Sequence, residues 1–260
     1  MAEAALHDED ETAFVERYWT EVWVREGGPK GKIDAIPKKE EFRIMRPYLD
    51  ALPKGALIVD GGCGLGDWVL ALARQGFDAL GLDISRATVA QLQARFPEAR
   101  FQVADIRGTG LPSDSVDAYF SWGVFEHFEA GPSACIAETY RILKPGGVAF
   151  ISTPMDNLRQ AVLGSFRRPR AEDGQARRFY QYRFTRAELA AELARGGFEI
   201  LQARPIHKRQ GVLRMLHHEF GLPYHWFFTR GLAAALALVL PGAVIGHMVM
   251  CIVQKPAGHV

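Results

Sequence analysis

Three glycines at alternating positions are the residues in this sequence whose spacing best suits the binding of a ligand. Gly62, Gly64 and Gly66 directly follow a short apolar run and directly precede a helical pattern. Glycines let the backbone turn tightly and let a ligand approach without a clash at Cβ, and the helix after them offers free N–H groups. A dinucleotide fingerprint requires Gly-x-Gly-x-x-Gly, but its third position, counted from Gly62, is Asp67. The spacing therefore favours a smaller adenosyl ligand.

Acidic residues end the strands on either side of this turn. Asp83 ends the second predicted strand, where a carboxylate can accept hydrogen bonds from both hydroxyls of a ribose. Asp105 ends the third, where it can accept a hydrogen bond from an adenine amine. Asp60 precedes the glycines and is expected to orient the turn or an amine of the ligand. Because such sheets bind ligands at the carboxyl ends of their strands, we expect these acids to share one site.

Short apolar runs alternate with helical patterns, which is typical of βαβ units around a mostly parallel sheet. Strands are predicted at 56–60, 78–82, 100–104, 116–121, 148–153, 198–203 and 247–254, with a turn at 144–147 before the fifth. Helices are predicted at 67–75, 87–95, 132–143, 186–195 and 232–240. Further segments are a helical lid at 12–52, broken at Gly27-Gly28-Pro29, an arginine-rich insertion at 154–185, and an aromatic and apolar cap at 205–246.

Several sequence blocks, in order and spacing, resemble those of the class I S-adenosylmethionine-dependent methyltransferases, in the branch of the ubiquinone and menaquinone biosynthesis type. The blocks are Asp60 to Gly66, Gly81 to Ser85, Ala104-Asp105, Leu111-Pro112 to Asp117, Glu126-His127 and Arg141 to Gly147. The resemblance is strong over about residues 50–153 and weaker over 184–203 and 247–255. It implies that 1–260 is a single Rossmann-like α/β domain, with a seven-stranded sheet, an antiparallel last strand, helices on both faces and a helical cap.

The resemblance also implies the cofactor and its contacts. The cofactor is S-adenosyl-L-methionine, the product is S-adenosyl-L-homocysteine, and no metal takes part. The implied cofactor-binding residues are Asp60, Gly62, Gly64, Gly66, Asp83, Ile84, Asp105, Ile106, Ser121, Trp122 and Trp19. Of these, Ser121 and Trp122 line the floor near the methionine part, and Ile106 lies beside the adenine.

Two side chains have both a chemical and a packing interpretation. His127 is the candidate catalytic residue, because an imidazole can take a proton from a hydroxyl nucleophile; alternatively it is a hydrogen-bonded structural residue. Trp19 is suited to lie over the cofactor and attract its sulfonium; alternatively it packs on the core with Val15 and Val22. The two histidines at 217–218 lack the third ligand that a metal site needs.

The expected function is SN2 transfer of a methyl group to an oxygen, nitrogen or carbon nucleophile of a small molecule. The alternatives are an inactive cofactor-binding scaffold or regulator, an RNA methyltransferase and, more distantly, a nicotinamide oxidoreductase. A formal net charge of +1 argues against a nucleic-acid partner. The stretch Ser121 to Val124 lacks the Asn/Asp-Pro-Pro-Tyr signature, which argues against adenine-N6 and glutamine-amide acceptors.

Two segments bear on the acceptor and on the location of the protein. Residues 158–186 carry eight arginines against Glu172 and Asp173; guanidinium groups there suit an acceptor carboxylate or phosphate, with a solvated surface or RNA as the alternatives. Residues 224–240 combine aromatic residues, Arg230 and an apolar run. We expect a cap over a substrate pocket there, and the alternatives are membrane-surface contact and a membrane span. Widely spaced cysteines and an N-terminus without an apolar segment predict a cytoplasmic protein, peripheral to a membrane in the alternative.

Overall fold

The computed structural model describes residues 11–159 and 181–257. Its strands are β1 (Leu57–Gly61), β2 (Asp78–Asp83), β3 (Arg100–Val103), β4 (Val116–Trp122), β5 (Leu143–Pro154), β6 (Glu199–Ile206) and β7 (Met248–Gln254). They form a seven-stranded sheet in the order β3-β2-β1-β4-β5-β7-β6. β1 pairs in parallel with β2 and β4, β2 in parallel with β3, and β7 antiparallel with β6. The predicted Rossmann-like α/β fold with an antiparallel last strand is confirmed.

The helices lie close to where the sequence predicts them in the first half of the chain. They are α1 (Glu11–Arg25), α2 (Glu40–Leu49), α3 (Asp67–Ala73), α4 (Arg86–Arg95), α5 (Ser133–Ile142), α6 (Arg186–Arg195), α7 (Lys208–Phe220), α8 (Phe227–Val239) and α9 (Gly242–Ile245), with 3-10 helices at Ile33–Lys38 and Phe125–His127. The predicted break in the N-terminal segment is confirmed, because α1 ends at Arg25 and the two glycines after it have φ angles of 85° and 67°.

The start of β5 differs from the prediction. The sequence predicts a turn at 144–147, but the strand already begins at Leu143. The backbone N–H of Ser115 donates to the Ile142 carbonyl at 2.9 Å, and the Lys144 ammonium donates to Asp117 at 2.7 Å. Residues directly after α5 are therefore already held beside the start of β4. Gly146, with a φ of 80°, lies within the strand.

The chain divides into two compact units. The first contains residues up to Ser121 and Ala137–Val148, and it holds the glycine-rich turn with the carboxyl ends of β1 to β3. α3 begins directly after this turn. α4 begins after Ser85, whose side chain accepts a hydrogen bond from the Thr88 N–H at 3.2 Å, which is the usual way to cap a helix start. Both helices thus begin at the strand ends where the sequence predicts a ligand.

The second unit contains Trp122–Ile136 and Ala149–Pro256. The predicted capping box at the start of α6 is confirmed, because Thr185 and Glu188 exchange hydrogen bonds of 3.2 and 2.8 Å. α7, α8 and α9 share a small core of their own. The fully or nearly fully buried members of this core are Val212, Leu216, Ala233 and Ile245.

The region 205–246 is more helical than predicted. A single helix was expected at 232–240, whereas α8 begins at Phe227 and α7 was not predicted. The sequence of α7 mixes an apolar pattern with a glycine and two adjacent histidines, so its helical periodicity is weak. Its intrinsic helix propensity is therefore low, and packing against the neighbouring helices supplies the stabilisation. The arginine-rich insertion at 154–185 lies largely outside the described residues, as do residues 1–10 of the N-terminal segment.

No helix within residues 11–159 and 181–257 is long and apolar enough to cross a membrane. In the same part of the chain, no group of three His, Cys, Asp or Glu side chains is placed to hold a metal ion.

Candidate functional site

The glycine-rich turn between β1 and α3 adopts a backbone conformation that side chains rarely tolerate. The φ angles of Gly62, Gly64 and Gly66 are 83°, 52° and 77°, all in the left-handed region. A Cβ atom on Gly64 would lie 2.7 Å from the indole ring of Trp23. The turn therefore brings bare backbone close to an aromatic ring, and the alternating glycines predicted from the sequence are required by conformation and by space.

Asp83 holds this turn in place. One of its carboxylate oxygens accepts a hydrogen bond from the Gly64 N–H at 2.8 Å, and the other accepts from the Ser85 N–H at 2.9 Å. The side chain is buried, and burial raises the pKa of Asp83, while the backbone donors oppose the rise. Backbone donors thus already engage this carboxylate, and its contact with a ribose stays a prediction. The sequence predicted the ribose contact and missed the loop-holding contact.

Asp60 and Ser121 lie beneath the same turn. Asp60 is 2% exposed, and burial, followed by the charge of Asp83, raises its pKa well above the usual value, against the opposing charge of Lys39. The hydroxyl of Ser121, at the end of β4, donates to the Gly61 carbonyl at 2.7 Å. Ser121 thus supports the backbone at the start of the turn, and the orienting role of Asp60 stays a prediction.

Helix α1 packs against the turn through an aromatic residue that the sequence analysis missed. Trp23 contacts Gly64, and its buried Nε1 atom has no hydrogen-bond partner in the described part of the chain. Trp19 stacks on Trp23 with ring centroids 5.2 Å apart, and its place over the cofactor stays a prediction. The two residues are four positions apart and so lie on one face of the helix. That spacing was the available signal for Trp23.

A second contact of α1 reaches the start of α4. The hydroxyls of Thr20 and Ser85 lie 2.6 Å apart, and Glu16 accepts a hydrogen bond from the Arg86 N–H at 3.3 Å. Since Ser85 also donates its backbone N–H to Asp83, α1 contacts the residues that hold the glycine turn. This placement is consistent with the predicted N-terminal lid.

Asp105 is paired with an arginine that was not predicted. The guanidinium of Arg107 donates to both carboxylate oxygens of Asp105 at 2.7–3.1 Å, and also to Thr12 at 2.9 Å and to Glu11 of α1. These acidic partners raise the pKa of Arg107, so its charge is permanent. Asp105 is half-buried and its orientation is set by Arg107, and its contact with adenine stays a prediction. The Asp-x-Arg spacing is the sequence signal for this pair.

The two predicted isoleucines differ in exposure. Ile106 is buried at 4% exposure, and Ile84 is partly exposed beside Asp83. Ile106 therefore belongs to the core, whereas Ile84 is partly accessible at the protein surface.

Trp122 and His127 belong to the second unit, and His127 lies beside a buried acid. Glu126 is 1% exposed and His127 is 9% exposed, with the imidazole Nε2 3.8 Å from a Glu126 carboxylate oxygen. Burial raises the pKa of Glu126 to about 8, although the positive charge of Arg183 opposes the rise. The Glu126 carbonyl accepts the Tyr182 N–H at 2.8 Å. At neutral pH Glu126 is therefore mostly protonated, next to the candidate base.

Comparisons with known proteins agree with this geometry. Residues 58–147 match the family model described as a methyltransferase domain. The 2-methyl-6-phytyl-1,4-hydroquinone methyltransferase of Synechocystis sp. is 33% identical over 138 residues, covering 48% of this chain and 42% of that protein. The trans-aconitate 2-methyltransferase of Variovorax paradoxus is 32% identical over 127 residues, covering 46% and 49%. The chain thus spans about half the length of these relatives.

A solved structure extends the likeness over nearly the whole chain. The methyltransferase in the complex with the Haloferax volcanii Trm112 methyltransferase activator superposes with a TM-score of 0.64 at 20% identity, covering 95% of this chain and 99% of that one. At that identity the likeness shows the fold. Fold and site together are those of a Rossmann-like α/β domain with a glycine-rich turn after its first strand. Within it, residues 58–147 match a methyltransferase domain.

Proposed function

We propose that this chain binds S-adenosyl-L-methionine at the glycine turn and transfers its methyl group to an oxygen, nitrogen or carbon of a small molecule. The observation that carries the proposal is the turn itself, in which Asp83 holds Gly64 at the end of β1 in a protein with a methyltransferase domain. The hydroquinone relative supports placing the chain near the quinone-biosynthesis branch. The different acceptors in the names of the relatives leave the nucleophile to be identified.

The residues of the turn fit this cofactor. A Cβ at Gly64 would fill the space beside Trp23, and the buried indole Nε1 of Trp23 is a donor without a partner among the described residues. Asp83 offers acceptors for ribose hydroxyls, and the start of α3 offers N–H groups for a carboxylate. When bound, the cofactor supplies an electrophilic methyl group on a sulfonium.

The remaining work of the protein is alignment and proton removal. Holding a nucleophile in line with the methyl group contributes about 7–11 kcal/mol to catalysis, which rigid backbone and buried side chains supply. His127 is the residue proposed to accept a proton when the acceptor is a hydroxyl, because a positioned base adds ~10²–10⁴-fold. The buried Glu126 beside it supports this role by geometry, since a carboxylate oxygen 3.8 Å from the imidazole Nε2 can orient the ring.

The exposed face of α8 supports peripheral attachment to a membrane surface as a further part of the proposal. Phe227 and Phe228 are each 83% exposed, and Leu238 is 84% exposed. The sequence from Phe220 to Ala257 contains no acidic residue, so nothing there repels anionic headgroups. Exposed aromatic and aliphatic side chains with a basic residue are what an interfacial helix needs.

Isothermal titration calorimetry with S-adenosyl-L-homocysteine and NAD tests cofactor binding. The chain should bind S-adenosyl-L-homocysteine and not NAD, and Asp83→Ala should weaken binding by roughly 1–3 kcal/mol, since it leaves buried donors unmet. Asp78→Ala is the matched control, because Asp78 begins the strand that Asp83 ends and pairs with Arg100 at the surface. Tighter binding of NAD, or an equal loss in the control, contradicts the proposal.

A further inference from the structure

Five basic side chains gather within the second unit, where the end of β5, the end of β6 and the start of β7 lie side by side. They are Arg159, Arg183, His207, Arg214 and His247. Backbone hydrogen bonds hold the three strand ends together: the His247 N–H donates to the Ile206 carbonyl at 3.2 Å, and the Met155 N–H donates to the His247 carbonyl at 3.0 Å. His207 follows Ile206 directly, so both histidines stand at the same edge.

A separate segment brings Arg183 to that edge. Phe184 forms a bridge with Met155, donating to the Pro154 carbonyl at 3.1 Å and accepting from the Asp156 N–H at 2.9 Å. The Arg183 guanidinium donates to the Met155 carbonyl at 3.4 Å. This arginine is half-buried, and burial together with the charge of Arg214 lowers its pKa. Two guanidinium groups therefore share a partly desolvated environment.

Arg214 reaches the cluster from α7. His207 caps the start of this helix with a left-handed backbone, φ 58° and ψ 42°. A non-glycine residue in that conformation is strained, and such strain concentrates at functional sites. Arg214 is half-buried on the same helix. The backbone is therefore strained at His207, at the start of the helix that carries Arg214.

The lowered pKa of His247 reflects its burial and the positive charges around it. Burial, followed by the charges of Arg214, Arg183, His207 and Arg159, lowers its pKa to about 4. The imidazole is therefore neutral at pH 7 and can both donate and accept a hydrogen bond.

Acidic side chains also lie near this cluster in the part of the chain that the structure describes. Glu219 is committed to an ion pair with Arg159, and Glu126, with a pKa of about 8, is mostly protonated at neutral pH. Asp156 also faces Arg183 and opposes the lowering of the Arg183 pKa. Like charges held together in a partly desolvated place are unfavourable unless an anion joins them. The arrangement favours an incoming anion.

We propose that this cluster is an anion-binding site in which Arg183 and Arg214 hold a carboxylate or phosphate group of the methyl acceptor, with the neutral His247 as an additional hydrogen-bond donor. Guanidinium groups suit both anions because their forked donors bind two oxygens at once. The inference deepens the proposed function and rests on it for the identity of the ligand as an acceptor. It assigns the acceptor to small molecules that carry an anionic group.

The test is a titration of the full chain with inorganic phosphate and, separately, with succinate, at constant ionic strength set by sodium chloride. The pKa of His247 is followed by NMR, and its resonance is assigned with His247→Gln. Saturating anion should raise this pKa by about one unit or more, because the bound charge offsets the arginines. The anion that binds with the higher affinity identifies the anionic group of the acceptor as phosphate-like or carboxylate-like.

Variants separate a built site from general attraction. Arg214→Gln and Arg183→Gln should weaken anion binding by about tenfold or more, and Arg214→Lys should retain part of it. Arg209→Gln is the matched control, since it removes the same charge from an exposed position of α7 and should leave binding unchanged. Near-UV circular dichroism checks that each variant is folded. An unmoved pKa of His247 with both anions, or an equal loss in the control, overturns the inference and leaves the arginines with a structural role only.

Calorimetry with S-adenosyl-L-homocysteine on the same variants distinguishes this inference from the proposed function. Unchanged affinity for this compound together with lost anion binding supports both. Failure of wild-type protein to bind S-adenosyl-L-homocysteine contradicts the proposed function, and with it the assignment of the anion as a methyl acceptor, whereas the phosphate and succinate titrations still decide whether the anion site exists.

Discussion

Glu126 and His127 are adjacent in the chain, and both side chains are buried. Glu126 is held largely in its neutral form at pH 7, and the neighbouring imidazole is the proposed proton acceptor. A protonated Glu126 does not compete with the imidazole of His127 for the proton of the acceptor. The pair is therefore a candidate for catalysis at the scale of single residues.

His127→Ala should reduce turnover by about 10²-fold or more if His127 is a general base, because the proton then has no positioned acceptor. Affinity for S-adenosyl-L-homocysteine should stay nearly unchanged. Steady-state kinetics and calorimetry measure the two quantities, and His218→Ala, at an exposed histidine of α7, is the control. Retained activity with a lower melting temperature would instead assign His127 a structural role.

Glu126 should make stability depend on pH. Its pKa is raised from its usual value of 4.5 to about 8 in the folded protein, so the folded state holds a proton that the unfolded state has released. The contribution of this group is complete below pH 4.5 and declines as pH rises towards 8, by at most about 1.4 kcal/mol for each pH unit.

Glu126→Gln should remove this decline, because an amide does not ionise. Urea unfolding of both proteins between pH 5 and 8.5 should show the variant gaining stability relative to wild type as pH rises, with the difference levelling above pH 8. The depressed pKa of His247 acts in both proteins and cancels in the difference. A pH-independent difference would show that Glu126 is ionised in the folded state.

The glycine turn acts as one element, in which Asp83, Gly64 and the indole of Trp23 depend on each other. Gly64→Ala should therefore cost more than backbone strain alone, which is about 1–2 kcal/mol for a left-handed alanine. Gly55→Ala is the control for strain, because Gly55 has a φ of 73° with nothing within 4 Å of an added Cβ.

Chemical unfolding and calorimetry compare the two variants. Gly64→Ala should lose more stability than Gly55→Ala, since its Cβ meets the Trp23 ring, and it should also bind S-adenosyl-L-homocysteine more weakly. Equal stability losses with intact binding would show that the turn tolerates a side chain and that Trp23 moves freely.

Helix α8 carries apolar side chains on its exposed side as well as on its buried side. Thr229 and Ala233 are buried against α7, whereas Phe227 and Phe228 project into solvent. Wild-type protein should float with liposomes that contain anionic lipid, and Phe227→Ser with Phe228→Ser should abolish flotation through lost insertion of the aromatic rings.

Val24→Ser is the control for α8, because Val24 is 64% exposed on α1 and should not affect flotation. Absence of flotation in the wild type, combined with reduced turnover and normal cofactor affinity in the double variant, would favour the cap over a substrate pocket that the sequence predicts. Flotation that survives the double variant would contradict attachment through α8.

For the whole molecule, local patterns in the sequence correctly predicted the sheet and its switch of direction. Apolar runs separated by helical patterns are continuous segments, and their order is enough to select a Rossmann-like topology. The boundary of β5 and the existence of α7 were wrong or missed, because both depend on partners that lie far away in the chain. Packing beside β4 and against α8, respectively, decided them.

The sequence by itself determined the glycine turn and the acids at the strand ends, since each is a property of a few adjacent residues whose geometry follows from the strand and helix around them. Only the tertiary structure decided that Trp23 contacts Gly64, that Arg107 engages Asp105, and that basic side chains gather around His247. The physical reason is that burial and electrostatic fields come from neighbours in space, and those neighbours are set by folding rather than by spacing along the chain.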